Sequence, residues 1–106
     1  MKVINRTTLF DEHFNQRANV HIKQLFRQKL AVFKKNPYDP SLNNHALKHN
    51  LTGLRSWSLT DDNGSDDFRV LYKAERNGDC SFIDFGTHNQ IYRSWLKVHT
   101  YWFGEK

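Results

Sequence analysis

Two side chains of this sequence have the chemistry and the setting of catalytic groups. His88 stands in the segment GTHNQIY, directly after a strand-like run. A histidine with an ordinary pKa of about 6.5 can give or take a proton at neutral pH. Arg69 lies in DFRVLY, on the open face of its strand, opposite the apolar neighbours. Considered alone, His88 is also consistent with a structural turn residue, and Arg69 with either a solvated charge or a contact to an anion.

Other polar residues could extend a site around this pair. Tyr92, four residues after His88, could stack on a base, orient a phosphate or close the core. A concave basic surface would suit a phosphate backbone. The residues that could add to such a surface are Lys48, His49, Arg55 and Lys73.

Metal binding is not predicted. The aspartates around Gly64 suggest calcium, but Leu59 occupies the first ligand position that an EF-hand loop requires. His45 and His49 have the spacing of zinc ligands on a helix, yet no glutamate stands beside the first and no cysteine cluster completes a site. Cys80 has no triad pattern around it, which favours buried packing. We expect no metal and no other cofactor.

Length and charge predict one soluble domain over residues 1 to 106. The net charge of +5 favours encounter with phosphates or acidic proteins, without deciding between them. A single cysteine excludes an intramolecular disulfide, and the chain opens with the polar MKVINRTT rather than a signal peptide. No stretch approaches the length of a membrane span. We therefore expect a reduced, cytoplasmic protein without membrane association.

The first half of the chain predicts one strand and two helical segments. Residues 2 to 6 are β-tolerant, and Thr8, followed three residues later by Asp11, can cap the start of a helix. Asn36-Pro37 and Asp39-Pro40 end the helical pattern, because proline disfavours helix in the residue before it. Residues 41 to 52 are expected to form an ordered connection. The apolar residues at helical spacing are Phe10, Phe14, Ile22, Leu25, Phe26, Leu30 and Phe33.

The second half predicts a β-meander. Residues 54 to 59 and 68 to 74 alternate with the period of two that is typical of strands, and the acidic loop DDNGSDD joins them. CSFIDFG follows the hairpin signal Asn77-Gly78 as a third strand. Residues 93 to 103 could add a short final helix. The expected class is α+β, with an N-terminal strand and a helical hairpin packed on one face of an antiparallel sheet.

The ordered segments LKHNLTGLRSWSL, DFRVLYKAE and FIDFGTHNQIY resemble the RelE and YafQ superfamily of bacterial type II toxin-antitoxin toxins. The resemblance implies a RelE/ParE toxin-like fold and a small basic toxin that enters the ribosomal A site and cuts mRNA. The reaction would need no metal, since the ribose 2′-OH attacks the adjacent phosphate. The implied partners are a cognate antitoxin protein and mRNA on the ribosome, with operator DNA bound only through the antitoxin complex.

The resemblance also implies roles for individual residues. His88 matches the histidine of the GTH motif, the acid or base, and Arg69 matches an arginine that holds the scissile phosphate. His45 matches the histidine of an H-P-L segment and would assist proton transfer. Asp67 falls at the acidic position before the middle strand, and Tyr92 takes the place of the aromatic residue after GTH.

Three departures from the family pattern leave other functions open. Asp84 replaces an arginine that YafQ-like enzymes carry two residues before the GTH glycine. The link between the first two meander strands is lengthened by the acidic DDNGSDD, and the tail after Tyr92 extends past the usual YafQ-like end. A ParE-like inhibitor of DNA gyrase on the same fold is one alternative, although His88 and His45 argue against it. A catalytically silent homologue that acts through antitoxin and operator DNA is the other, and Asp84 is its supporting feature.

Overall fold

The computed structural model describes residues 3–47, 51–59 and 67–91. Residues 88 to 91 continue from the last strand as a helical turn. The predicted α+β class and the order of strand, two helices and meander are confirmed. The elements are β1 (Ile4–Arg6), α1 (Thr8–Arg17), α2 (Val20–Lys35), a 3₁₀ helix (Pro40–Leu42), β2 (His45–Ala46), β3 (Arg55–Ser58), β4 (Phe68–Ala74) and β5 (Cys80–Thr87).

The strands form one mixed sheet in the order β1-β5-β4-β3-β2. The three meander strands pair antiparallel as predicted, whereas β1 lies parallel to β5, with Ile4 opposite Cys80. The prediction of an ordered connection without a separate element over residues 41 to 52 is wrong in part, because β2 pairs there with β3 and places His45 opposite Ser56. A strand of two residues is too short to leave a periodic signal in the sequence.

Both helices begin at side-chain caps. Thr7, rather than the predicted Thr8, caps α1, since its hydroxyl oxygen accepts a hydrogen bond of 3.0 Å from the amide of Phe10. The side chain of Asn19 caps α2 in the same way, 2.8 Å from the amide nitrogen of Ile22. The second helix ends at Lys35, immediately before Asn36-Pro37, as the prolines predict.

An aromatic core joins the two helices to one face of the sheet. The ring of Trp57 on β3 is stacked against Phe33 and Phe26 of α2, with ring centroids 5.1 and 6.0 Å apart. On α1, the ring of Phe10 packs against Phe82 of β5, with ring centroids 5.5 Å apart. Each of these rings buries a large apolar area, so hydrophobic burial holds the helical layer on the sheet.

A second, smaller apolar cluster covers part of the opposite face. Leu71 alternates along β4 with the core residues Val70 and Tyr72 and therefore lies on this second face. The expectation of an open face is thus wrong where the cluster covers it, and the Arg69 side chain is only 24% exposed. The cluster consists of Leu51, Leu54, Leu71, Ile83 and Ile91, with Leu47 packed against it.

The β4–β5 hairpin turns at Asn77-Gly78, as predicted. Gly78 has a φ of +96°, a conformation that glycine adopts without the strain that a Cβ atom brings. Residues 61 to 66 of the acidic loop and the predicted helix over 93 to 103 lie outside the described residues. Within the described ranges, no helix has the length and apolar character needed to cross a membrane.

The aromatic core gives a direct test of the fold. Replacing the fully buried Trp57 by alanine (Trp57→Ala) should lower the free energy of unfolding by about 3–5 kcal/mol, because a large cavity replaces the stacked ring. Chemical denaturation measures the change. The control is Val20→Ala on the exposed surface of α2, which should stay within about 0.5 kcal/mol of the parent protein. A similar, small effect for both variants would contradict this packing.

Candidate functional site

Arg69 and His88 line the same shallow pocket on the face of the sheet opposite α1 and α2. The pocket has an apolar floor from the second cluster, and an apolar floor lowers the local dielectric constant and strengthens the attraction between a cation and an anion. The two residues predicted from separate motifs therefore meet at one place. The full lining is Leu47, Leu51, Ser56, Arg69, Leu71, His88 and Ile91.

The guanidinium group of Arg69 is held in place by Asp67. Nε and Nη2 of Arg69 donate to the two carboxylate oxygens of Asp67 at 3.3 and 3.0 Å. The arginine fork has five N–H donors, so among the described residues donors on Nη1 and Nη2 remain that could meet an anion. Across the sheet Arg69 stands directly opposite Gly86, two residues before His88. Asp67 thus has a defined structural role as the residue that orients the arginine.

His88 is positioned by a capping box at the end of β5. The hydroxyl oxygen of Thr87 accepts from the amide of Gln90 at 3.3 Å, and Oε1 of Gln90 accepts from the amide of Thr87 at 2.9 Å. This reciprocal pair is the T-x-x-Q form of a helix start, and it fixes the backbone on both sides of His88. The His88 side chain is exposed at the rim. The signal THNQ was present in the sequence but was not recognised there as a cap.

His45 lies at the neighbouring edge of the same face. It stands opposite Ser56, which lines the pocket, and its Nδ1 lies 2.9 Å from the carbonyl oxygen of Asn43. A carbonyl oxygen only accepts, so Nδ1 carries the hydrogen and, in the neutral ring, Nε2 is the basic nitrogen. His45 is therefore near the pocket in register but is not one of the residues that line it.

The remaining predicted contacts are not brought to the pocket or lie beyond the described part. Arg55 donates from Nε to Asn44 at 2.9 Å and places its guanidinium 5.2 Å from the Tyr38 ring, on the helical side of β3. Lys73 is exposed four residues along β4 from Arg69, roughly 13 Å away at the rise of a strand. Lys48, His49 and Tyr92 lie outside the described residues.

Asp84, the departure from the family pattern, is buried against α1 and does not line the pocket. Its Oδ1 lies 2.6 Å from Nδ1 of His13 and 4.0 Å from Nη1 of Arg17, and it also accepts from the Phe85 amide. Burial raises the pKa of the Asp84 carboxyl above its ordinary value of 3.8, while His13, the Phe85 amide and Arg17 oppose this rise. The Asp84 carboxyl is therefore engaged by α1 and is not among the groups that line the pocket.

His13 and Arg17 were not identified from the sequence. They are four residues apart on α1 and share one side of that helix, but their partners lie 71 and 68 residues away. Contacts over such distances leave no local pattern. Arg17 donates from Nη1 to the carbonyl oxygen of Phe85 at 2.9 Å, and its side chain is 18% exposed.

The remaining candidates for chemistry are Cys80 and metal ligands. Cys80 is buried in β5, and burial, with Asp79 and Glu75 nearby, raises the pKa of its thiol to about 11. The thiol is therefore protonated at neutral pH and is a poor nucleophile. Among residues 3–47, 51–59 and 67–91, no group of three or more histidine, cysteine, aspartate or glutamate side chains is placed to hold a metal ion.

Solved structures share this architecture over most of the chain. Escherichia coli YafQ, from strain BL21(DE3), is 17% identical, with 87% of this chain and 99% of that chain covered and a TM-score of 0.61. The YoeB/ParE toxin from Agrobacterium tumefaciens is 18% identical, with coverages of 81% and 98% and a TM-score of 0.61. This chain has the RelE/YafQ toxin fold. The E. coli DinJ–YafQ complex matches the fold through a chain 18% identical, with coverages of 87% and 99% and a TM-score of 0.60.

The likeness to these RelE/YafQ-fold proteins is found in structure rather than in sequence. No protein-family model matches the sequence, and no curated protein is significantly similar to it. At such low identity the shared architecture establishes the fold alone. The activity must be argued from the pocket and its residues.

The capping box predicts a measurable effect of Thr87. Replacing Thr87 by alanine removes the acceptor for the Gln90 amide and should lower the free energy of unfolding by about 1 kcal/mol. The matched control is Thr8→Ala, since Thr8 lies inside α1 rather than at its cap. Chemical denaturation of the two variants provides the comparison. A larger loss of stability for Thr8→Ala would show that the assignment of caps is wrong.

The buried carboxyl predicts an unusual dependence of stability on pH. Because the folded-state pKa of Asp84 is raised, its contribution favours the folded state most below about pH 4, the unfolded value, and is lost as the pH rises through the folded value. The stability of the parent protein relative to Asp84→Asn should therefore fall as the pH rises from about 4 towards neutrality. Denaturant unfolding at several pH values measures this difference. A relative stability that grows over the same range would mean that the carboxyl has a lowered pKa.

Proposed function

We propose that this protein is the toxin of a type II toxin-antitoxin system and a ribosome-dependent endoribonuclease that cleaves mRNA. The observation that carries the proposal is the pocket in which Arg69 and His88 meet, on a chain with the RelE/YafQ toxin fold. A fixed guanidinium group can stabilise the charge that develops at the phosphate during RNA cleavage by the 2′-OH, and an exposed imidazole can transfer a proton.

In the proposed reaction the ribose 2′-oxygen forms a bond to the adjacent phosphorus, and the bond from phosphorus to the 5′-oxygen breaks. A base removes the proton of the 2′-OH, and an acid protonates the departing 5′-oxygen. His88 at the pocket rim serves one of these roles, and the basic Nε2 of His45 assists from the neighbouring strand. Arg69, oriented by Asp67, binds the phosphate and stabilises the charge that develops on it. Tyr92 would place a base.

The proposed protein partner is a cognate antitoxin. The DinJ–YafQ complex from E. coli, described as a toxin-antitoxin complex, contains a chain of the same fold. The whole chain has a net charge of +5. An acidic segment of the antitoxin would neutralise the basic pocket. Operator DNA would be bound only through the complex with that antitoxin.

The main alternative is that the protein inhibits DNA gyrase as a ParE-like protein. The structural match to the YoeB/ParE toxin is compatible with this alternative, because it has the same fold. Such an inhibitor acts by binding and has no use for an exposed histidine beside a fixed arginine. The two functions give different responses on expression in bacteria. RNA cleavage halts translation, whereas gyrase inhibition induces DNA damage signalling.

The catalytic role of His88 predicts the effect of its removal. His88→Ala should lower the rate of mRNA cleavage in the A site of programmed ribosomes by roughly 10²- to 10⁴-fold, because the acid or base is lost. The same substitution should relieve growth arrest when the chain is expressed in bacteria. The matched control is His21→Ala, an exposed histidine on α2. Equal toxicity and equal cleavage rates for His88→Ala and the parent protein would rule out the catalytic role.

A further inference from the structure

Arg17 reaches from α1 onto the face of the sheet that carries Arg69. A Cβ atom added to Gly86 would lie 2.6 Å from Nη1 of Arg17, so the guanidinium occupies the space that a side chain at position 86 would fill. Gly86 stands directly opposite Arg69, and side chains directly opposite one another share a face. Their Cβ positions are about 5 Å apart, which places Nη1 of Arg17 within roughly 8 Å of the Arg69 Cβ.

The guanidinium of Arg17 also adjoins the turn that holds His88. The same Cβ position at Gly86 lies 3.0 Å from Oε1 of Gln90, the oxygen that caps the Thr87 amide. Arg17 and Gln90 therefore meet above Gly86, two residues before His88. Arg17 uses Nη1 for the Phe85 carbonyl, and within the described residues no hydrogen bond engages its Nε or Nη2. These donors are the ones a ligand could meet.

We propose that Arg17 is a second phosphate-binding residue of the Arg69–His88 pocket and that Asp84 is its positioning residue. The ligand is a phosphate of the RNA backbone where the chain crosses the edge of β5, so this inference rests on the proposed function. Each arginine then has one carboxylate beside it: Asp67 for Arg69 and Asp84 for Arg17. The paired carboxylates reduce the repulsion between two guanidinium groups on one face.

The environment of Asp84 supports a positioning role. Its side chain is 1% exposed, and within the described part of the chain its Oδ2 atom has no hydrogen-bond partner. Burying a carboxylate is costly unless it is paired, and the groups close to Asp84 are the ones it can hold in position. Those groups are His13 and Arg17, both at the β5 edge. The family pattern has an arginine at position 84. In this chain Arg17 of α1 would supply that positive charge instead.

Binding of an uncleavable RNA tests the proposal separately from catalysis. The probe is a single-stranded RNA oligonucleotide with 2′-O-methyl groups at every nucleotide, and fluorescence anisotropy gives the Kd at several NaCl concentrations. Arg17→Gln should weaken binding roughly tenfold at low salt, as expected for a lost charged hydrogen bond. The slope of log K against log salt should decrease in magnitude by about 0.7, the value for one lost phosphate contact on a single strand. The matched control is Arg27→Gln, an exposed arginine on α2, which should change the Kd less than about twofold.

Two further variants distinguish a ligand contact from a structural one. Gly86→Ala keeps the charge of Arg17 but displaces its guanidinium. Like Arg17→Gln, it should decrease the magnitude of the salt slope. It therefore tests the contact even if Arg17→Gln fails to fold. Asp84→Asn should weaken binding in the parent protein but have no further effect in the Arg17→Gln background, because it acts through Arg17. Thermal unfolding verifies that each variant is folded.

The outcomes are separable. If Arg17→Gln and Gly86→Ala keep the Kd and the salt slope of Arg27→Gln, Arg17 does not contact phosphate and the inference is overturned. If the parent protein binds the probe with the predicted dependence on Arg17 but does not cleave unmodified mRNA on ribosomes, the inference stands and the proposed function fails. If the parent protein binds no RNA, free or on ribosomes, both fail.

Discussion

The edge of β5 that faces away from β4 is the constraint on which the site depends. β1 pairs only with residues Cys80 to Phe82, so the remainder of that edge would be left with unpaired carbonyl groups. The start and end of α1 supply the missing donors: the Thr7 hydroxyl donates to the Ile83 carbonyl at 2.9 Å, and Arg17 donates to the Phe85 carbonyl. β5 is therefore hydrogen-bonded on this edge as well as to β4, and it ends at the turn that carries His88.

The two faces of the sheet have different tasks because side chains alternate along each strand. One face binds the helices through stacked aromatic rings, and the other forms a small apolar floor beneath Arg69 and His88. On this second face the guanidinium of Arg69 is held by the carboxylate of Asp67 rather than left in solvent. Asp84 is close to the basic pocket in sequence, but its side chain is buried beside α1 and does not line that pocket.

The sequence predicted those features that repeat locally. Alternation located β3 and β4 and the face of Arg69, the prolines ended α2, and Asn77-Gly78 marked the hairpin. It did not predict β2, whose two residues show no period, or the second apolar cluster, which gathers residues from several elements. The contacts of Arg17 with Phe85 and Asp84 were also missed, because they join α1 to the far end of the chain. The resemblance to RelE and YafQ toxins supplied the fold, while the position of Arg17 beside β5 came only from the structure.

The chemistry of the cut ends tests the central claim most directly. Parent protein, ribosomes and an mRNA with a defined codon in the A site would be combined, and the ends of the fragments would be identified by mass spectrometry. Attack by the 2′-OH predicts a 2′,3′-cyclic phosphate or its 3′-phosphate product on the upstream fragment and a free 5′-hydroxyl on the downstream fragment. Intact mRNA, or fragments with a 3′-hydroxyl and a 5′-phosphate, would contradict the assignment of Arg69 and His88 to this reaction.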